Sequence, residues 1–551
     1  SLYYHLRFDN PNKPYVKIFS NWRLFAKVYF LSGLNSGDKK DNIYGFDLHV
    51  KEAKKFIEIK ITANSSIWGK VEYFFLCRED YFEYYYVVNG SGKLNELFYF
   101  GSYDINGNFQ GSVHNFPLVF SPEPNYIDRR YYKSWESTSI DMISDDERKI
   151  NHWMFAPPPL CYSIKFTRRN WISASLIPGK GEYNFLEYKY NGGKGFSFSL
   201  TYNDNYHING RFETPHLVFS FKNQDEYLAL NRHVELYKNL RTESVEKKEP
   251  FTWWTAPIFC GWGEQVVQAL LDNGKPQDYA DRKFYDKMLK TLEENDIDPG
   301  IVIIDDKWQK NYGLNDVDTN KWSDLRGFID KQHTIGRKVL LWYPLWLCEG
   351  VPESACLKKE GKAVAVDVTH PDFEKRIEKI CHNLLSEDKG CMNADGFKVD
   401  FNEHFPKDRD LEIYGNIYGM EMLKKFLETI YLNSKRIKND ALIITQNPNP
   451  YYADVTDMIR LNDIHPGTRK VFSVMEHRQK VAKTAIPGIL IDTDNWSGPS
   501  LKEWRNYMKK QAVLGVPSLY FVTRVDGTLE KFSKKDYRLI KRIWTRYKKL
   551  G

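Results

Sequence analysis

Apolar positions in the first 240 residues recur in short alternating or aromatic-rich runs: Tyr15–Ile18, Phe56–Ile61, Val71–Phe75, Phe82–Val88, Ile164–Thr167, Phe196–Tyr202 and Leu217–Phe221. A period of two sends successive side chains to opposite faces, so each run predicts a β-strand. Turn signals separate them, among them Asn89–Gly90, Gly101–Ser102, Asn106–Gly107, Gly179–Lys180–Gly181 and Asn191–Gly192–Gly193. Many short strands with little helix between them predict an antiparallel β-sandwich. The pattern stops at the polar segment Arg241–Pro250 (RTESVEKKEP). A domain boundary is expected there, dividing the chain into 1–245 and 246–551.

Beyond that segment the rhythm changes. Eight apolar β-runs follow: Phe251–Phe259, Gly300–Ile304, Lys338–Tyr343, Gly396–Val399, Ala441–Thr445, Asp457–Leu461, Gly488–Ile491 and Ser518–Val522. Amphipathic stretches with helical spacing lie between them, such as Arg282–Asn295, Pro371–Ser386, Gly419–Ile437 and Leu501–Gly515. Eight buried strands alternating with helices over roughly 300 residues predict a (β/α)8 barrel. The expected fold is therefore multidomain, an N-terminal antiparallel β-sandwich followed by a (β/α)8 TIM barrel.

Composition narrows the function classes. The chain has 79 basic and 72 acidic residues, and no Lys/Arg block of the kind that forms a nucleic-acid arm. No apolar run reaches membrane-spanning length, so neither nucleic acid nor membrane is an expected partner. Seven cysteines are scattered without CxxC or Cys/His spacing, which argues against a structural metal and leaves room for one bridge, Cys348 with Cys356. The start at Ser1, without Met, is compatible with a removed signal peptide and with a cytoplasmic protein alike. Aromatic residues make up 15% of the chain, serving either as core or as stacking faces for sugar rings.

Active residues in such barrels come from the C-terminal ends of the strands. Four runs end in acids: Asp305–Asp306 after the second, Asp400 after the fourth, Asp463 after the sixth, and Asp492 with Asp494 after the seventh. Carboxylates gathered at one mouth repel each other and lose hydration, which folding alone does not explain. A single Asp in such a place can be a helix cap. Glycoside hydrolysis uses such a set, with two carboxyl groups flanking the anomeric carbon and others holding hydroxyls.

The segments IIDDKWQ (Ile303–Gln309), DGFKVDFNE (Asp395–Glu403) and IRLNDIHP (Ile459–Pro466) resemble the strand-end motifs of α-galactosidases and raffinose synthases of glycoside hydrolase family 36. That clan also includes family 27 α-galactosidases and the α-glucosidases and α-xylosidases of family 31. The resemblance covers Phe251–Thr523. It implies that Asp400 is a nucleophile and Asp463 an acid/base, with Asp492 or Asp494 as rivals for the second role. It implies that Lys398 reaches ring hydroxyls, that Arg460 serves the 2-hydroxyl side, and that Asp305 and Asp306 accept from the 4- and 6-hydroxyls. Trp308 and Trp342, with Trp253 or Trp254, are expected to wall the pocket, and Asp492 and Asp494 to complete it.

The sequence also departs from the family-36 pattern. Lys307 stands where the family has Gly, FNEHFP after Asp400 looks closer to family 31, and the chain stops soon after the eighth run, where a C-terminal β-domain is common. The implied activity is exo-acting removal of a terminal α-linked galactose from an oligosaccharide or glycoconjugate by double displacement, without metal or organic cofactor. Same-clan alternatives are an α-N-acetylgalactosaminidase, an α-glucosidase or α-xylosidase, an enzyme for a sulfonated sugar, and a transglycosylase. A catalytically inactive sugar-binding protein is the reading from another class. A metal-dependent barrel hydrolase is disfavoured, since His404 and His465 are lone and no HxH follows the first run.

Overall fold

The computed structural model describes residues 3–10, 12–123, 129–142, 155–241, 249–461, 463–464 and 467–550. Large antiparallel sheets form the first part and a nearly closed eight-strand parallel barrel the second. The expected boundary between residues 245 and 246 falls in 242–248, outside the described residues.

All seven runs expected in the first part lie in or largely within strands. The longest strand, Tyr81–Tyr99, pairs with Ser197–Glu213, His216–Asn223 and Gly69–Cys77. Along it Phe82, Tyr84, Tyr86 and Val88 are buried at every second position, as alternation demands. The tyrosine-rich core is satisfied internally: the hydroxyls of Tyr73, Tyr84 and Tyr86 donate to the carbonyls of Ser32, Phe30 and Phe98. Much of the aromatic content thus packs the sandwich rather than facing sugar.

Two glycine signals mislead. Asn89–Gly90 and Gly101–Ser102 are not turns but lie in strands Tyr81–Tyr99 and Gly101–Tyr103. Gly90 makes room for a neighbour, since a Cβ there would meet the Trp68 ring at 3.0 Å.

The barrel strands, β1 (Ile258–Cys260), β2 (Ile301–Ile304), β3 (Lys338–Pro344), β4 (Gly396–Asp400), β5 (Leu442–Thr445), β6 (Met458–Arg460), β7 (Leu490–Asp492) and β8 (Ser518–Leu519), pair in parallel in that order, and β8 pairs with β1. One parallel bridge, Asp492 with Val516, joins β7 to the segment entering β8. Gly396 opens β4 at φ 145°, where a Cβ would lie 2.0 Å from the Leu442 carbonyl, so only glycine lets β4 sit against β5.

Two barrel expectations need correction. Of Phe251–Phe259 only the end enters β1: Thr252–Thr255 is a 3-10 turn, and Pro257 has no N–H for a ladder. Between β5 and β6 there is no α-helix but a 3-10 turn, Pro450–Val455, because Pro448 and Pro450 break helical bonding. The domains meet at this crossover: Asn447 and Asn449 donate to the carbonyls of Ala156 and Pro158. Helix Glu226–Arg241 lies against helix Val471–Ala485, and Tyr227 and His477 share a 2.8 Å hydrogen bond.

Candidate active site at the barrel mouth

Helix capping does not account for the strand-end acids. The capping residues are others: Asp281 accepts from Phe284 N–H, Asp324 from Gly327 N–H and Ser500 from Glu503 N–H. Four of the strand-end acids, Asp305, Asp400, Asp463 and Asp494, converge instead on two buried cations.

Arg460, the last residue of β6, is the centre. One terminal nitrogen, Nη1, donates to Asp463 Oδ1 and Asp494 Oδ2, both at 2.9 Å. The other, Nη2, donates to Asp400 Oδ1 at 3.0 Å and to Gln446 Oε1 at 3.2 Å. One guanidinium thus ties the ends of β4, β5, β6 and β7 together. Both terminal nitrogens of Arg460 are thus engaged by protein, and its Nε is buried without a hydrogen-bond partner among the described residues. Lys398, on β4, donates to Asp305 Oδ2 at 2.7 Å, and its nitrogen lies 5.3 Å from the Tyr520 ring centre.

Asp400 is further held by Trp342 Nε1 (2.9 Å) and by Phe401 N–H (3.1 Å). Burial works against its charge, but Arg460 and Lys398, with these two hydrogen bonds, hold its carboxyl below the usual range. Asp463 goes the other way. Burial pushes its carboxyl up to about 7 against the attraction of Arg460, with Asp494 and Asp400 adding repulsion. Two carboxyls on one arginine therefore favour opposite protonation states.

The two rivals differ in access. The Asp400 and Asp463 side chains keep 9% and 11% exposure, whereas that of Asp494 has none, and Asp492 is equally buried. Asp494 is also engaged by Tyr520 and by Trp496 N–H. Asp492 accepts from Ser518 and from Asp494 N–H, with its carboxyl raised to about 6 by burial and by Asp494.

Asp305 and Asp306 sit together after β2 but in different company. Asp305 accepts from Lys398, Cys260 Sγ and Asp306 N–H. Asp306 accepts from Tyr312 (2.7 Å) and Gln277 (2.9 Å), and burial raises its carboxyl to about 6.

The tryptophans divide. Trp342 lies under Asp400, and Trp308 is buried below it, donating to the Trp342 carbonyl. Trp253 and Trp254 are not in the pocket: both indoles donate to Asp440, just ahead of β5 at the opposite end of the barrel. Trp262, two residues after β1, and Trp496, four after β7, form a half-buried edge-to-face pair at the mouth, with ring centres 5.9 Å apart. The strand-end rule, applied to aromatic and amide residues as well as acids, points to Trp262, Trp496 and Gln446.

Two other unanticipated residues touch the cluster. Arg478 donates to the carbonyls of Leu461 and Asp463 and so braces the loop carrying Asp463. Glu403 turns toward the same charges, and burial together with Asp400 and Asp463 pushes its carboxyl far above the ordinary range. His404 stacks on Phe401 at 4.3 Å, and His465 lies outside the described residues. Cys348 and Cys356 are free thiols.

Backbone strain gathers at the same end. Lys307, Trp346, Phe401 and Asp494, each just past a barrel strand, have φ of 72°, 65°, 71° and 45°. Such left-handed residues cost on the order of 1 kcal/mol each and persist where function or packing holds them. Lys307, where family 36 has Gly, keeps the glycine-like backbone and ties its side chain to Glu349 at 2.7 Å. Among the described residues, no group of three or more His, Cys, Asp or Glu is placed to hold a metal, and no helix is long and apolar enough to cross a membrane.

No family model matches this sequence, and no curated protein matches it. Solved structures do share its fold. A GH31 family sulfoquinovosidase from E. rectale, in complex with an aza-sugar inhibitor, superposes with a TM-score of 0.58 at 11% identity, covering 98% of this chain and 82% of that one. The cycloalternan-forming enzyme from Listeria monocytogenes, in complex with a pentasaccharide substrate, gives 0.55 at 13% identity over 99% of this chain. This chain spans 54% of that enzyme's length. An α-galactosidase from Thermus thermophilus gives 0.52 at 11% identity, covering 93% and 94% of the two chains. At these identities the likeness is one of fold.

Proposed function

We propose that this chain is a retaining α-glycoside hydrolase, with Asp400 as nucleophile and Asp463 as acid/base. The observation that carries the reading is the arginine fork between them. Arg460 holds both carboxyls, so their nearest oxygens are separated by at most two hydrogen bonds and one guanidinium. That is compatible with the separation of about 5–5.5 Å that a retaining pair uses. Arg460 and Lys398 keep Asp400 ionised, while burial raises the Asp463 carboxyl to about 7, so that a share of it is protonated near neutrality.

In the first step Asp400 attacks C1 of the terminal sugar. Asp463 gives its proton to the glycosidic oxygen, and the aglycone leaves as an alcohol. In the second, Asp463 takes a proton from water as the water attacks C1. The bond to Asp400 breaks, and the sugar leaves with its α-configuration restored. Trp342 and Arg460, hydrogen-bonded to Asp400, stabilise the carboxylate before attack and when it is released. Asp305 and Asp306 stand where sugar hydroxyls would be received, Asp305 in a charge pair with Lys398. On the paired acids we propose an α-galactoside as substrate, and the half-buried Trp262–Trp496 pair as an apolar wall beside it. The α-galactosidase among the structures of the same fold supports this choice.

The test is a panel of p-nitrophenyl α-galactoside, α-N-acetylgalactosaminide, α-glucoside and α-xyloside, with NMR of the first anomer released. Turnover of the galactoside with α-product first is the expected result. Release of β-product first overturns the retaining assignment, and turnover of another sugar alone overturns the galactoside reading.

A further inference from the structure

The net charge of the molecule is concentrated in one element. The last helix, Lys534–Leu550 (KKDYRLIKRIWTRYKKL), contains eight Lys or Arg and one Asp. Its excess equals the +7 of the entire chain, so the other residues sum to zero. The cations are interleaved with apolar residues, which is why they form no block in the linear sequence.

The apolar face of this helix is already used, since Leu539, Ile540, Ile543 and Trp544 are buried against the barrel. The eight cations are all exposed. The lone acid is neutralised: Asp536 is buried and takes two hydrogen bonds from Arg505, at 2.6 and 2.9 Å. Lys541 pairs with Asp296, ahead of β2. Lys535, Arg538 and Arg542 make no ion pair among the described residues. With Arg505, Asp536 and Leu539 they line a cleft of about 600 Å³ between this helix and helix Leu501–Met508. As the helix following β8, it starts on the mouth side of the barrel and returns toward the strands' N-terminal ends, where Lys541 meets Asp296.

We propose that this cleft and the cationic face continuing from it bind a polyanionic polysaccharide, a glycan chain carrying sulfate, phosphate or carboxylate groups. The identification of a glycan rests on the proposed function; the anionic character rests on the charge alone. A helix of this length extends for about 25 Å, enough to follow several charged units. Its apolar side faces the barrel and is not available to enter a lipid bilayer. No exposed aromatic lies on its cationic face to stack on bases.

The experiment compares binding of fluorescent dextran sulfate and neutral dextran to the whole chain, by anisotropy across a salt series, with the triple variant Lys535→Glu, Arg538→Glu, Arg542→Glu. Expected are binding of dextran sulfate but not of dextran, affinity falling as salt rises, and at least about tenfold weaker binding by the variant. Circular dichroism checks the fold of the variant; if it does not fold, Arg542→Gln at an exposed position replaces it, with a smaller loss expected. Three outcomes overturn the proposal: no binding of dextran sulfate near physiological salt, unchanged affinity in the folded variant, or tighter binding of anionic phospholipid vesicles or duplex DNA. Binding requires no turnover, so a chain that binds dextran sulfate but cleaves no glycoside disproves the catalytic reading alone.

Discussion

The two ends of the barrel hold buried aspartates in different company. At the N-terminal end Asp395, just ahead of β4, accepts from Val339 N–H, His333 and Lys338. Asp457, ahead of β6, accepts from Ile443 N–H and pairs with Lys435 at 2.8 Å. Each acid there has its own cation and a backbone donor. At the C-terminal end four acids from the ends of β2, β4, β6 and β7, Asp305, Asp400, Asp463 and Asp494, share two cations, Lys398 and Arg460. Burial, with neighbouring acids adding to it, raises the mouth carboxyls of Asp463 and Asp492. The residue type is the same at both ends, but Asp395 and Asp457 are sealed with cations of their own, whereas Asp400 and Asp463 share Arg460 and keep some exposure. On the proposed function, that difference separates an acid that staples strands from one that exchanges a proton.

Exchanging the roles gives the largest expected effect. Asp400→Asn should lower kcat by about 10⁴-fold or more while leaving thermal unfolding little changed. Asp395→Asn should do the reverse, costing about 3 kcal/mol of stability by leaving His333 and Lys338 without their acid, with kcat within a few-fold of wild type. Paired kinetic and denaturation measurements on the two variants check this.

The next effect is in the pH profile. Asp463 must be protonated to donate, so kcat/KM should fall as pH rises through about 7. Asp400 must be ionised, so the acid limb should lie below the usual carboxylate range. Asp463→Asn should abolish the basic limb, and its loss of rate should be greater for poor leaving groups than for nitrophenol.

The stability effects of the two ends carry opposite signs. The Asp463 carboxyl is raised on folding, so its favourable contribution is present at low pH and lost between about pH 4 and 7. Although burial opposes ionisation of Asp395, His333 and Lys438 lower its carboxyl, so its contribution is present above about pH 4 and lost as acid is added. Denaturant unfolding at pH 5 and 8 should therefore show Asp463→Asn gaining relative to wild type at pH 8, by on the order of 1 kcal/mol. The smallest effect belongs to the domain contact. Asn447→Ala removes a hydrogen bond to Ala156 and should cost about 1 kcal/mol, with kcat unchanged.

What was legible in the sequence followed from short-range rules. Every barrel run lies on or overlaps a strand, because a strand buried on both faces must be apolar throughout. Asp400 and Asp463 stand out in the sequence because they follow such runs, and both meet Arg460 in the structure. Trp253 and Trp254 were misplaced because they precede β1 instead of following it, and nothing in the residue type tells one end from the other. The strand-tying role of Arg460 is not legible in the sequence for a different reason. Its four acceptors come from the ends of four strands, and that convergence exists only once the barrel is assembled. Gly90 looked like a turn because glycine serves equally where a turn needs a positive φ and where a tryptophan ring needs space.

The most direct test of the central assignment is to trap the intermediate. A 5-fluoro-α-glycosyl fluoride of the sugar chosen by the aryl glycoside panel should raise the protein mass by one fluoroglycosyl residue. Peptide mapping should place the label on Asp400, and Asp400→Asn should take none. A label on Asp463, Asp494 or elsewhere, or turnover of the fluoride without any adduct on Asp400, would contradict the account.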